Sequence, residues 1–126
     1  MKNDDLLQLL PQLAKEEYCY LTTKGRKTGK PHEIEIWFVV LNNTIYLLSG
    51  GRDKSDWVKN LRANPEVSVR IRKYIFAATA RIVSDVKEET TVRPLMAAKY
   101  EQWKEGQELS DWARNALVVG IDIQKT

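Results

Sequence analysis

Residues 32–50, HEIEIWFVVLNNTIYLLSG, constrain the possible folds of this chain more than any other stretch. Ile34, Ile36, Phe38 and Val40 alternate there with Glu33, Glu35, Trp37 and Val39, and a period of two predicts a β-strand with two unlike faces. Asn42 and Asn43 supply the Asn pair expected of a tight hairpin, after which the apolar run 45–50 returns as the partner strand. YCYLTT (18–23) reads as an earlier strand, and EVSVRI (66–71) with YIFAATARIVSD (74–85) as a second hairpin turning at Arg72 and Lys73. NALVVGIDI (115–123) is the sixth and last strand.

Helical segments separate these strands. Leu6, Leu9, Leu10 and Leu13 share one helical face over residues 4–16 behind an acidic start, and Pro11 must either kink that helix or open a second short one. Ser55 is the N-cap of a short helix at 55–63 that turns Trp57, Val58 and Leu61 to one side and closes at Asn64 and Pro65. A longer helix over 86–105 follows from its acid-rich start and from the spacing of Val92, Leu95, Met96, Tyr100 and Trp103, with Pro94 inside it. The order predicts a mainly β (α+β) single domain over 1–126, a six-stranded antiparallel barrel in which short strands curl to leave few open edges.

Length and composition are compatible with that plan. An apolar fraction of 43% with four Trp and five Tyr in 126 residues is enough for a packed core and excludes intrinsic disorder. No apolar run approaches the roughly 20 residues needed to cross a bilayer. The start MKNDDLLQLLPQ carries acids and a proline where a secretion signal needs a basic and then an apolar stretch, so a cytoplasmic location is expected. Cys19, the sole cysteine, leaves neither an internal disulfide nor a Cys-based zinc site, and reads as a packed strand residue in place of a nucleophile.

Charge is concentrated in the middle of the chain. Residues 24–73 hold eleven Lys and Arg against five acids, while 1–23 hold two bases against four acids and 74–126 seven bases against eight acids. A local basic field attracts an anion: nucleic acid, a membrane surface or a phosphorylated small molecule. Two Gly-rich basic loops, LTTKGRKTGKP (21–31) and SGGRDKSDW (49–57), flank the first hairpin, and facing one another across the barrel rim they would cradle such an anion. Gly25, Gly29, Gly50 and Gly51 expose backbone N–H groups, Arg26 offers a bidentate fork, and Lys27, Lys30 and Lys54 add point charges. Thr28, Ser49 and Ser55 contribute hydroxyls, and the helix at 55–63 directs its positive end to the same region. GRKTGK lacks the spacing of a P-loop.

LTTKGRKTGKPHEIEIWF and YLLSGGRDKSDWVKNLRANPEVSVRI resemble the deazaflavin-dependent nitroreductase and quinone reductase family, within the flavin-binding split β-barrel superfamily that includes pyridoxamine phosphate oxidase. The specific element is the joint pattern Gly-Arg-x-Thr/Ser-Gly-x-Pro, Ser-Gly-Gly and Trp-x-x-Asn-Leu-x-Ala-Asn-Pro; the likeness covers residues 18–71 and stays collinear through RNALVVGIDI. It implies a split β-barrel, usually a homodimer, that binds a reduced deazaflavin (coenzyme F420) or FMN. By that resemblance Arg26, Lys27, Thr28, Gly29 and Lys30 form the phosphate loop, and Ser49, Gly50 and Gly51 the backbone beside the tricyclic ring. Arg52 and Lys54 continue the second basic loop, and Trp57 and Asn60 complete the pocket. His32 stands where relatives commonly carry Arg, and is expected to contact phosphate in preference to acid–base work. The segment after the double glycine is also shorter than in several relatives, which keeps FMN as the alternative cofactor.

For the acceptor, Glu35, Trp37, Tyr100 and Trp103 are the candidates. Glu33 and Glu35 form a carboxylate pair on one strand face, which is either solvated or lines the pocket, and Trp37, Tyr100, Trp103 and Trp112 either stack on a planar ligand or belong to the core. No Ser/His/Asp set, metal-ligand cluster or activated Cys is legible, so no catalytic side chain and no metal ligand is assigned. A reductase whose hydride comes from its cofactor requires neither; quinones, nitroaromatics and conjugated enones are possible acceptors. Two rival classes remain: a nucleic-acid-binding small barrel, which would need aromatics interleaved with the basic residues where GRKTGKP has none, and a non-enzymatic flavin carrier in the same barrel. A homodimer would supply the second wall that a small barrel lacks around a tricyclic ring.

Overall fold

The computed structural model describes residues 2–124. These form helices α1 (Asn3–Leu7) and α2 (Leu10–Leu13), strands β1 (Cys19–Lys24), β2 (Pro31–Ile36), β3 (Val39–Leu41) and β4 (Thr44–Ser49), helix α3 (Asp56–Ala63), strands β5 (Glu66–Ile71) and β6 (Tyr74–Ile82), helices α4 (Val86–Tyr100) and α5 (Asp111–Asn115), and strand β7 (Leu117–Ile123). A single sheet runs in the order β2-β1-β5-β6-β7-β4-β3 with every neighbouring pair antiparallel. Strands β2 and β3 sit at its two borders, yet only Trp37 and Phe38 separate them in the chain. Three Cα–Cα steps span at most about 11 Å, so the sheet must curl until its borders approach each other. The result is the half-barrel of the split-barrel class.

The strand predicted over 32–40 is therefore two strands, and the sheet has seven among the described residues in place of six. The reason lies at Phe38, which is fully buried. Its N–H donates to the Tyr100 hydroxyl (2.9 Å), and its carbonyl accepts from Lys99 Nζ (2.8 Å) and lies 2.9 Å from the same hydroxyl, which also donates to the Glu17 carbonyl at 2.7 Å. Buried backbone groups must be paired, and here side chains at the end of α4 replace a neighbouring strand, so the ladder can break and turn.

Alternation places the core on two sides of the sheet. On β4, Ile45 and Leu47 enter the barrel interior with Leu21, Phe38, Val69, Phe76 and Ile121, while Tyr46 and Leu48 pack under α4 with Val92, Met96 and Val118. Leu6, Leu10 and Leu13 from α1 and α2, and Val58 and Leu61 from α3, close the interior cluster. Pro11 occupies the first turn of α2 and so opens a second helix. Asn3, almost fully buried, donates to the carbonyls of Ala77 (2.9 Å) and Gln124 (2.7 Å), tying the start of the chain to the middle of β6 and the end of β7.

Helix α4 ends at Tyr100, five residues before the predicted end at 105. Gln102 adopts φ 56° and the Trp103 N–H folds back to the Ala97 carbonyl (3.2 Å), which stops the helix. At its other end Arg81 grips Glu88 bidentately (2.9 and 2.7 Å) and reaches Asp122 (2.6 Å), with the Tyr46 hydroxyl on the same Glu88 carboxylate. Those bonds pin α4 to β4, β6 and β7, and the Arg81 guanidinium holds the Glu88 carboxyl below its usual range. Helix α5, which the sequence reading did not anticipate, is capped by Ser110, whose Oγ accepts from the Ala113 N–H (3.1 Å).

Replacing Tyr100 by Phe leaves the buried Phe38 amide without its acceptor and is expected to cost about 1–3 kcal/mol, read as a lower urea midpoint with an unchanged m-value. Burial draws the Lys99 amine down to about 8 from 10.5. The unfolded chain therefore binds more protons than the folded one above about pH 8, and stability rises with pH there. Cys19, whose thiol burial pushes up to about 12 from 9.0, opposes that trend once the unfolded thiol ionises. Urea unfolding between pH 8 and 9 is thus expected to show rising stability in the wild type and no rise in Lys99→Met.

Candidate functional site

The loop 25–30 between β1 and β2 is closed on itself. Gly25 N–H donates to the Lys30 carbonyl (2.8 Å), Gly29 N–H to the Gly25 carbonyl (2.8 Å) and Lys30 N–H to Thr28 Oγ1 (3.2 Å). Gly29 takes φ 75°, which favours glycine. A Cβ on Gly25 would lie 2.7 Å from His32 Nε2, so the imidazole packs directly over bare backbone. Helix α3 fixes the outer end of this loop. Asn60, 5% exposed, accepts from the Arg26 N–H (3.2 Å) and from Arg26 Nη1 (2.8 Å), and donates to Thr23 Oγ1 (3.3 Å). Arg26 Nη2 reaches Asp56 Oδ1 at 3.2 Å, but the Asp56 side chain is 86% exposed, so solvent screens the pair and an incoming anion can displace it.

These groups line a cavity of about 420 Å³: Arg26, Lys27 and Thr28 from the loop, His32, Glu33 and Ile34 from β2, and Asp56, Trp57 and Asn60 from α3. Its charge is balanced, two bases against two acids, and Glu33 lies 3.6 Å from Arg70 on β5. Gly29 lines a different hollow with Pro31, Glu66 and Ser68, and Lys30 lines neither.

The second basic loop does not enter this cavity: Ser49, Gly50, Gly51, Arg52 and Lys54 are absent from its lining. Buried Ser49 donates from Oγ to the Arg52 carbonyl (2.8 Å) and meets the Ser55 hydroxyl at 2.9 Å, while Arg52 reaches the Asn115 carbonyl at the end of α5. A Cβ on Gly51 would lie 2.6 Å from Ser55 Oγ, so that glycine answers to packing within its own loop. The two loops expected to face one another are linked through α3, which holds Arg26 through Asn60 and Asp56 and meets the second loop at Ser55.

A second cavity, also of about 420 Å³, opens further along β2. Tyr18, Glu35, Ile36, Trp37, Leu48, Glu101 and Trp112 line it. Trp37 stacks on Tyr100 with ring centres 4.4 Å apart and planes 5° apart, and meets Trp112 edge-on at 5.5 Å and 82°. Of the four residues expected at an acceptor, Glu35 and Trp37 line the cavity and Tyr100 backs Trp37, with its hydroxyl committed to the Phe38 corner. Trp103 does not line it and donates from Nε1 to the Gln107 carbonyl (3.0 Å). Gly50 lines neither cavity; a Cβ there would lie 3.6 Å from the Trp112 ring.

Sequence reasoning missed Tyr18, Leu48 and Glu101, and left Trp112 undecided. A signal for Trp112 was present. Ser-Asp-Trp occurs at 55–57 and again at 110–112; in each case the serine takes the N-cap position of a short helix whose tryptophan walls a cavity.

The model of the F420H(2)-dependent quinone reductase family matches residues 6–119. Among solved structures, an F420-H2 dependent reductase (FDR-A) is 27% identical over 85% of this chain and 95% of its own, with a TM-score of 0.65. A protein described as a domain-swapped dimer is 25% identical over 94% of this chain and 95% of its own, with a TM-score of 0.67. A candidate pyridoxamine 5'-phosphate oxidase from Listeria innocua, 18% identical over 98% of this chain and 94% of its own with a TM-score of 0.68, shares the fold. With nearly its whole length matched, the chain belongs to the F420H(2)-dependent quinone reductase family and is a reductase.

Proposed function

We propose that this reductase binds reduced coenzyme F420 through the loop–α3 cavity and delivers hydride to a planar, electron-poor acceptor, a quinone or nitroaromatic, in the adjoining aromatic cavity. The observation that carries the reading is the pair of adjacent cavities on β2: Ile34 lines the one with Arg26, Lys27 and Thr28, and Ile36 the one with Trp37 and Trp112. The donor set fits an anionic tail. Lys27 and the Thr28 hydroxyl are exposed, and Arg26 is oriented by Asn60 while bound only to a solvated carboxylate. Ile34 and Ile36 offer an apolar strip for a ring. When bound, the reduced deazaflavin supplies the hydride. The chain's own residues then have three tasks: Arg26, Lys27 and Thr28 hold the tail, Trp37 and Trp112 orient the acceptor plane, and the apolar lining displaces water from it.

FMN is the second reading, favoured by the charge balance of the first cavity. Glu33 and Asp56 offset Arg26 and Lys27, which suits one phosphate better than a tail carrying several carboxylates. The same acids oppose a nucleic-acid backbone. We place the reductase in the cytoplasm as a homodimer; the exposed border strand β2, with Pro31, His32, Glu33 and Glu35 open to solvent, supports the second copy. Among the described residues no helix is long and apolar enough to cross a membrane.

Titration with F420 and with FMN, followed by fluorescence, tests the pocket and ranks the two cofactors. Arg26→Ala with Lys27→Ala is expected to weaken binding of the preferred cofactor at least roughly tenfold, about 1.4 kcal/mol, with the unliganded melting temperature nearly unchanged; equal affinity in the double variant removes this cavity as the tail site. Asn60→Ala is expected to lower both affinity and stability, the latter by about 1–3 kcal/mol, because it orphans the Arg26 amide and the Thr23 hydroxyl.

A further inference from the structure

Along β2 the two cavities differ in charge. Arg26 and Lys27 line the first, whereas the second contains no cation and two carboxylates, Glu35 and Glu101. Neither carboxylate takes part in a salt bridge among the described residues. Each is held by one neutral hydroxyl: Tyr20 donates to Glu35 Oε1 (2.7 Å) and Ser110 to Glu101 Oε1 (2.7 Å). A hydroxyl orients a carboxylate and leaves its charge in place, with acceptor capacity to spare. Tyr18, Trp37 and Trp112 line the same cavity as these acids. Stacking on Tyr100 fixes the plane of Trp37, and Trp112 meets it nearly at a right angle, so the two rings form the corner of a cage. Aromatic faces and carboxylates around one cavity attract the same kind of ligand, a delocalised cation.

From this geometry we infer that the acceptor cavity selects planar aromatic cations, and that these are the hydride acceptors it serves best. The inference rests on the reductase reading above and names its substrate class. Hydride addition to a quinone leaves an oxyanion beside Glu35 and Glu101, which repel it. Hydride addition to a planar cation leaves a neutral product, so the carboxylates bind substrate more strongly than product and favour its release. With methylene blue, a phenothiazinium cation, the balance closes without a further reactant. A C–H bond of the reduced deazaflavin breaks and an N–H bond of the dye forms; two electrons move with the hydrogen, the oxidised cofactor gives its remaining proton to solvent and the dye becomes its neutral leuco form.

The test uses the full chain. Calorimetric titration without cofactor, with methylene blue and with neutral menadione, is run on wild type, Glu101→Gln and the Glu35→Gln, Glu101→Gln double variant. Glutamine keeps each hydroxyl bond and removes only the charge, and the single variant stands in should the double one fold poorly. Methylene blue is expected to bind the wild type more tightly than menadione, and the double variant at least tenfold more weakly. In turnover with reduced deazaflavin, the ratio of kcat/KM for methylene blue to that for menadione is expected to fall by the same factor. Equal dye affinity in wild type and variants, or an unchanged turnover ratio, overturns the inference. Because dye binding is measured without cofactor, an error in the cofactor assignment registers separately, in the Arg26 and Lys27 variant, and leaves this measurement untouched.

Discussion

A buried backbone corner at Phe38 holds the molecule together. Its amide and carbonyl are answered by Tyr100 and Lys99, about sixty residues further along the chain, and that pairing lets one continuous segment leave the sheet at one border and rejoin it at the other. The barrel interior, the path of β2 and the outward placement of Trp37 all depend on it. Because Tyr100 both satisfies the corner and stacks on Trp37, the residue that closes the fold also sets the plane of a cavity wall.

Much of this was legible from local pattern. The alternation in β2, the apolar run of β4, the Asn42 turn, the Arg72 turn and the α3 start at Ser55 all come from short-range chemistry, and the structure follows them. The corner was not, because Trp37, Phe38, Val39 and Val40 continue the β-forming run begun at Glu33 with no turn residue at the break. What interrupts the strand is a hydroxyl and an amine from a distant helix, and no local period records such a partner. The same limit governed the end of α4: Trp103 continues the helical spacing, yet Gln102 turns left-handed and sends that ring to its own loop.

The candidate site divides in the same way. Arg26, Lys27, Thr28, His32, Trp57 and Asn60 could be grouped from motif spacing, and they do share one cavity. Their electrostatic setting could not be read, because Asp56 and Glu33 enter it from a helix start and a neighbouring strand that only the fold brings near. Charge counted along the chain marks a basic segment; charge counted around the cavity is neutral. Sequence spacing likewise placed the double-glycine loop opposite the first loop, whereas Ser49 and Ser55 turn it toward α5.

The two-residue link between the sheet borders also determines where the chain tolerates added length. One extra residue at 37–38 would shift β3 against β4 and exchange its inward and outward side chains, undoing the register of Val39 with Tyr46. The hairpin tip at Asn42 and Asn43 carries no such obligation, since both residues are exposed and the strands on either side are already paired. A fluorescent tag or an epitope belongs at that tip, at the far end of β3 from the corner.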